Sequence, residues 1–174
     1  DGILKAITIY SGTSYFLYRG QPMGFEYELL ERFAEELDLE LEIIIAKDIN
    51  SLFERLNKGD VDIIAHGLTI TSKRRNKVDF TRYFYHTHQV LVQRKPENWR
   101  KMKIHEIQRV LVSDAIELIG DTVSVRKNSS YYQRLKNLSE EIGGEIKINT
   151  LPGSMATDKI IKKVVDGEIK YTVA

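Results

Sequence analysis

The stretch His66-Gly67-Leu68-Thr69-Ile70-Thr71-Ser72-Lys73-Arg74-Arg75 gathers hydroxyls, a glycine and three cations within ten residues. A guanidinium among such groups offers a carboxylate a fork of two donors, and backbone N–H groups and a threonine hydroxyl add more. Thr71 is suited to cap a short helix, which places Arg74 in its first turn. Gly67 lets a ligand or another backbone approach closely. The same residues also suit a plain surface turn with Lys73, Arg74 and Arg75 solvated.

A second group, Arg126-Lys127-Asn128-Ser129-Ser130, follows a strand pattern and opens a helix pattern. Free N–H groups at a helix start, with the positive end of its dipole, attract an anion, although Ser130 also reads as an ordinary cap. Tyr10, Tyr15 and Phe16 stand at the end of the first strand pattern, where they either wall a cleft or staple a loop to the core. His86 and His88 share one face of an extended segment but have no third ligand nearby, so no metal and no cofactor is expected. No Gly-x-Ser-x-Gly elbow, P-loop lysine or Gly-x-Gly-x-x-Gly turn occurs. Paired carboxylates such as Glu140-Glu141 fall on a helix pattern and need no catalytic role.

These groups must be positioned by elements that recur in the same order. Residues 3–9 read as a strand, 25–37 as an amphipathic helix and 39–46 as a strand that becomes continuously apolar. A short helix through Leu52, Phe53 and Leu56 stops at Gly59, and 61–65 is a buried strand. The second half repeats the pattern. Residues 122–125, 145–149 and 169–173 read as strands, joined by a helix over 130–142 and another carrying Ile160, Ile161, Val164 and Val165. Ser130-Tyr131-Tyr132-Gln133 and Ser154 are the expected caps of these two helices. Two β-α-β-α-β units predict an α/β protein with parallel sheets and right-handed crossovers. We place the first lobe at 1–88, a hinge strand and linker at 89–103, and the second lobe at 104–174. Ligands of open α/β sheets bind beyond the carboxyl ends of the strands, where both polar groups fall.

Composition narrows the classes. The 174 residues carry 26 Lys plus Arg against 25 Asp plus Glu, a net charge of +1, so nothing marks a nucleic-acid partner. There are no cysteines, which excludes disulfides, thiolate metal sites and a Cys nucleophile. The longest strongly apolar run, Ile43-Ile44-Ile45-Ala46, is far too short to span a bilayer.

Several stretches resemble the family-three extracellular solute-binding domains, two-lobed clamps that serve amino-acid transporters and some sensors. They are Gly24-Phe25-Glu26-Tyr27-Glu28-Leu29, Leu56-Asn57-Lys58-Gly59-Asp60-Val61-Asp62 and Gly67-Leu68-Thr69-Ile70-Thr71-Ser72-Lys73-Arg74. Val78-Asp79-Phe80-Thr81-Arg82-Tyr83-Phe84 and Gln89-Val90-Leu91-Val92 continue the series. Tyr27-Glu28-Leu29 and Lys170-Tyr171-Thr172-Val173-Ala174 are similar to the solute-binding half of the lytic transglycosylase F family, where a peptidoglycan-cleaving domain follows.

The resemblance implies a type II periplasmic-binding-protein-like fold, incomplete at its C-terminal side, in a periplasmic or extracytoplasmic setting. It implies a non-catalytic chain whose partner is a small carboxylate-bearing molecule, an amino acid or a muropeptide. Membrane or cell-wall association, including placement at the outer membrane, would come through other parts of a longer parent. A transporter binding protein and a receptor-kinase sensing domain share the same fold. Arg74 matches the arginine that grips the ligand carboxylate, with Gly67 and Thr69 assisting. Ser129, flanked by Asn128 and Ser130, matches the second lobe's hydroxyl contact. Arg126 falls where some members use a basic residue, and Tyr10, Tyr15 and Ile49 fall on the side-chain wall. Asn128-Ser129-Ser130 replaces the family's usual Gly-Thr pair. The acidic residue that holds the ligand's α-amino group in the family is expected beyond Ala174, with the return strand and the closing helix of the first lobe.

Overall fold

Alternating apolar residues at 3–9 form a strand, β1 (Ile3–Thr8), in the computed structural model, which describes residues 2–174. The described chain divides into two units, one ending at His86 and the other spanning Thr87–Ala174. In the first, β1 is the middle strand of three. The elements that follow it are β2 (Phe16–Tyr18), β3 (Gln21–Met23), α1 (Phe25–Glu36), β4 (Glu40–Ile45), α2 (Ile49–Lys58), β5 (Ile63–Ile64) and α3 (Ser72–Arg75). β1 pairs in parallel with β4, from Ile3 opposite Glu40 to Thr8 opposite Ile45, and with β5 through Ala6 and Ile7.

Successive residues of β1 face opposite sides of the sheet, and this sorts the core into two layers. Leu4 and Ala6 pack with Leu30 and Ala34 of α1 on one face. Ile7 and Ile9 pack with Ile49, Leu52 and Phe53 of α2 on the other. The parallel pairing requires these crossover helices, because each strand must return to its starting edge before the next begins.

α2 has the best-defined ends. The Asp48 carboxylate accepts the Ser51 N–H at 2.9 Å, while Ser51 Oγ accepts the Asp48 N–H at 3.2 Å. Gly59 closes the helix with a φ of 78°. Ahead of α1, β2 and β3 form a hairpin whose Arg19-Gly20 turn has positive φ at both residues. Two-residue turns of this hand match strand twist, but a non-glycine first residue hides them from composition. Gly24 then sets the entry to α1. Its φ is 136°, and an added Cβ would lie 2.3 Å from the Ser14 carbonyl oxygen.

The second unit holds β6 (Leu91–Gln93), α4 (Ile104–Val110), β7 (Thr122–Arg126), α5 (Ser130–Glu141), β8 (Lys147–Leu151), α6 (Thr157–Val165) and β9 (Tyr171–Val173). Short 3-10 turns occupy Trp99–Lys101 and Ala115–Leu118. The sheet order is β6-β9-β7-β8, with β7 parallel to both β8 and β9. β6 runs antiparallel to β9, Leu91 facing Val173. Val123, Val125, Leu135, Ile146 and Tyr171 form the core. The Gln93 side chain donates to the Val112 carbonyl at 2.7 Å and accepts the Val112 N–H at 3.0 Å, tying the segment after α4 to the edge strand.

The two caps expected from serines differ in detail. Ser130 is the first helical residue of α5; Ser129 precedes it and makes no side-chain cap bond. α6 starts at Thr157 behind Ala156, because Met155 N–H already bonds the Pro152 carbonyl in a turn around Ser154. Among the described residues no helix is long and apolar enough to cross a membrane.

Two substitutions test this architecture. Gly24→Ala is expected to cost at least about 2 kcal/mol of unfolding free energy in urea, from positive-φ strain plus the clash with Ser14. Asp48→Ala is expected to cost about 1 kcal/mol at pH 7. The bond from Ser51 N–H, partly opposed by burial, holds the Asp48 carboxyl below its ordinary value of 3.8. Its contribution is therefore present above the unfolded-state pKa and disappears as pH falls through the lower folded value. The stability gap between wild type and variant should close on acidification.

Candidate functional site

Because β1, β4 and β5 are parallel, the loops leaving their carboxyl ends emerge at one edge of the first sheet. The loop after β5 carries Gly67, Thr69 and Arg74. Thr71 caps α3 by accepting the Arg74 N–H at 3.3 Å. The Arg74 side chain turns inward rather than into solvent and is only 9% exposed. Its Nη1 donates to the Thr69 carbonyl at 2.8 Å, and its Cζ lies 6.0 Å from the centre of the Phe53 ring. The core aromatic and the loop carbonyl thus hold the guanidinium in one place, which favours oriented recognition of a carboxylate over diffuse attraction.

The loop after β1 supplies aromatic surface at the same edge. Tyr10 and Tyr15 meet edge to face at 5.4 Å between ring centres, and Tyr15 meets Tyr27 of α1 at 5.6 Å. Tyr27 donates its hydroxyl proton to Glu31 at 2.8 Å. Burial, reinforced by that carboxylate, pushes the Tyr27 phenol up to about 12. Tyr10 is exposed. Ile49 is not: it sits in the core with Ile7 and Ile9, where it packs rather than presents a wall.

In the second unit, Arg126 ends β7 and the chain reverses at once. Asn128 takes a left-handed φ of 64°, and Ser129 N–H bonds the Arg126 carbonyl at 3.2 Å. Ser129 is buried, its Oγ is shielded from solvent without a hydrogen bond, and Ser130 opens α5. The first N–H groups of a twelve-residue helix are directed past these residues. Burial lowers the pKa of the Arg126 guanidinium below its ordinary value. Asn128, Ser129, Ser130 and Arg126 are therefore brought together in one turn at the carboxyl end of β7.

Two neighbours of the first group were not singled out from sequence. Glu26 Oε1 and the Tyr85 hydroxyl both approach Gly67, at 3.2 and 3.6 Å from where its Cβ would stand. The Gly24-Phe25-Glu26 stretch was visible as a motif, but nothing in it announces contact with a loop forty residues on. The His86 and Tyr83 rings lie with centres 4.4 Å apart and their planes tilted by 48°. Among the described residues no group of three or more His, Asp or Glu side chains is placed to hold a metal ion. A hollow of about 370 Å³ in the second unit lies between Arg94, Lys95, Val110, Val164, Gly167 and Tyr171. It opens at the amino end of β9, away from the Ser129 turn.

Residues 8–166 match the model of the bacterial extracellular solute-binding proteins, family 3. The chain belongs to this family. This solute-binding chain is 32% identical over 177 residues to membrane-bound lytic murein transglycosylase F of Aliivibrio fischeri, which covers 99% of the chain and 32% of that protein. It is 32% identical to the protein of the same name from Desulfosudis oleivorans, covering 99% of the chain and 35% of the relative. The chain thus spans about a third of the length of these curated relatives. An ancestral arginine-binding protein bound to arginine shares its fold, with a TM-score of 0.77, 21% identity, and coverage of 100% of this chain and 70% of that one. An ancestral amino acid-binding protein, a precursor of cyclohexadienyl dehydratase, gives a TM-score of 0.78 at 23% identity, with coverage of 99% and 70%. The fold is therefore that of the periplasmic binding proteins, and the chain is a solute-binding domain.

Serine caps ordinarily contribute about 1 kcal/mol through a side-chain bond that Ser129 does not make. Ser129→Ala should accordingly change unfolding free energy by less than about 0.5 kcal/mol, since only an unsatisfied hydroxyl is removed. Chemical denaturation of wild type and variant checks this.

Proposed function

We propose that the chain is a non-catalytic module that holds a small carboxylate-bearing solute, an amino acid or a peptidoglycan fragment, for a longer lytic murein transglycosylase. In this reading Arg74 carries the carboxylate, Gly67 and Thr69 assist, and Tyr10 and Tyr15 line the solute's side. Ser129, with Asn128, Ser130 and Arg126, supplies a second contact. The two units close on the solute as a clamp about the segment 89–103. Ligand contacts from both units would favour the closed population. The observation that carries the proposal is the inward, anchored Arg74 guanidinium at the carboxyl edge of a parallel sheet. The relatives named for lytic transglycosylase activity support the wider setting, in which cleavage resides in a separate domain.

Hydrogen bonds to a charged group contribute about 1.5–3 kcal/mol each, so three anchors reach the micromolar range. Isothermal calorimetry with the L-amino acids and with purified muropeptides tests the reading, and absence of any binding would sink it. Arg74→Ala should weaken binding of the carboxylate ligand by about 100-fold or more with unchanged far-UV circular dichroism. Arg74→Lys, which keeps the charge and loses the fork, should fall between. Unchanged affinity in Arg74→Ala removes the assignment, and turnover of purified peptidoglycan by the chain would contradict the non-catalytic role.

A further inference from the structure

The hollow of about 370 Å³ in the second unit has no part in the solute reading, since it opens at the amino end of β9. Its depth is apolar: Val164 and Tyr171 are buried, and Leu111 and Ile169 half-buried. Gln93 also lines it, but its amide is engaged by Val112. The mouth is charged, with Arg94, Lys95 and Lys170 beside the Glu97 carboxylate. Lys170 is held by Asp121 at 2.9 Å, and Glu168, which follows Gly167, is held by Lys163. Arg94 makes no hydrogen bond or ion pair among the described residues. Its Nη1 lies 2.8 Å from where a Cβ on Gly167 would stand, so the guanidinium rests along bare backbone at the mouth.

The chain leaving the hollow keeps this character. Residues 94–109 hold six Lys or Arg against two Glu, in a chain whose net charge is only +1. Trp99 is 38% exposed, with Lys95 Nζ 4.3 Å and Arg100 Cζ 5.4 Å from its ring centre. Ile104 and Val110, at the two ends of α4, are 74% and 64% exposed. Solvated cations alone make an ordinary surface, and so do scattered aliphatics. Cations, an indole and large aliphatics around an apolar hollow suit a partner that carries both negative charge and hydrocarbon. We propose that this face of the second unit docks on a lipid bilayer bearing anionic phosphate headgroups. Arg94 and Lys95 meet a phosphate at the mouth of the hollow, and Trp99, Ile104 and Val110 enter the interfacial layer. An indole suits that layer because its ring is apolar while its N–H stays hydrated. A polyanionic glycan would satisfy the cations and leave the aliphatics in water. The contact uses none of the residues assigned to the solute, and it means that membrane association is not confined to other parts of a longer parent.

Trp99 is the one tryptophan in the 174 residues, so its emission reports on this face alone. Vesicles of phosphatidylcholine with phosphatidylglycerol should shift that emission to the blue and carry the chain down on sedimentation. Vesicles of phosphatidylcholine alone should do neither. Arg94→Ala combined with Lys95→Ala should weaken vesicle binding about tenfold or more. Arg32→Ala combined with Lys58→Ala removes the same charge from exposed helix positions of the first unit and should change binding by less than about twofold. Ile104→Ser should also weaken binding with unchanged far-UV circular dichroism, because that side chain already stands in water. An unshifted emission with anionic vesicles would sink the proposal. Equal losses in the two double variants would mean diffuse attraction and overturn the site. Release of the chain from vesicles by inorganic phosphate at constant ionic strength would reduce the hollow to a simple anion site and overturn the lipid assignment. Binding to purified peptidoglycan that the Arg94 and Lys95 variant loses, with no binding to either vesicle, would reassign the face to a glycan and overturn it as well.

Discussion

The bond from Arg74 Nη1 to the Thr69 carbonyl is what gives a basic stretch of sequence the fixed geometry of a candidate site. An arginine this buried must be matched by acceptors or aromatic faces, because a desolvated charge without them is strongly unfavourable. The Thr69 carbonyl and the Phe53 ring supply the match, and in doing so fix the course of the loop from Gly67 to α3. Loop shape and cation position are then one feature rather than two. Lys73 and Arg75, on either side, remain in solvent and share none of this order.

That feature depends in turn on the sheet beneath it. β5 is only two residues long, yet it delivers the loop to the carboxyl edge of β1, where the Tyr10–Tyr15 pair also emerges. Parallel pairing makes this convergence automatic, since every strand in such a sheet points its carboxyl end the same way. Phe53 shows how core and site are joined. It is buried in the layer between α2 and the sheet, and the same ring lies under the Arg74 guanidinium and 5.9 Å from Lys77 Nζ. The second unit repeats the logic with a different device, a left-handed Asn128 and a buried Ser129 at the start of a helix.

Periodicity made most of the elements legible. The apolar spacing at 29, 30, 33, 34 and 37, and the continuous run 43–46, reflect burial on a helix stripe and within a parallel sheet, and both elements are present. What periodicity misses are features set by backbone geometry rather than by residue class. The Arg19-Gly20 hairpin is one, and the displaced starts of α5 and α6 are others, since a serine near a helix end caps only if the preceding turn presents it. β6 reads as a strand, but its direction does not follow from its own residues. Val90 and Ala174 exchange backbone bonds across 84 residues, and only that pairing makes it antiparallel to β9.

By itself the sequence determined the α/β class, the two repeated units, the absence of thiol chemistry and the group of residues around Arg74. These follow from composition, spacing and local caps, which act over a few residues. Tertiary structure alone decided that Ile49 belongs to the core, that Phe53 lies under Arg74, and that Glu26 and Tyr85 meet at Gly67. Those contacts join residues far apart along the chain, and whether such side chains touch is set by strand register and helix packing, quantities no single segment encodes.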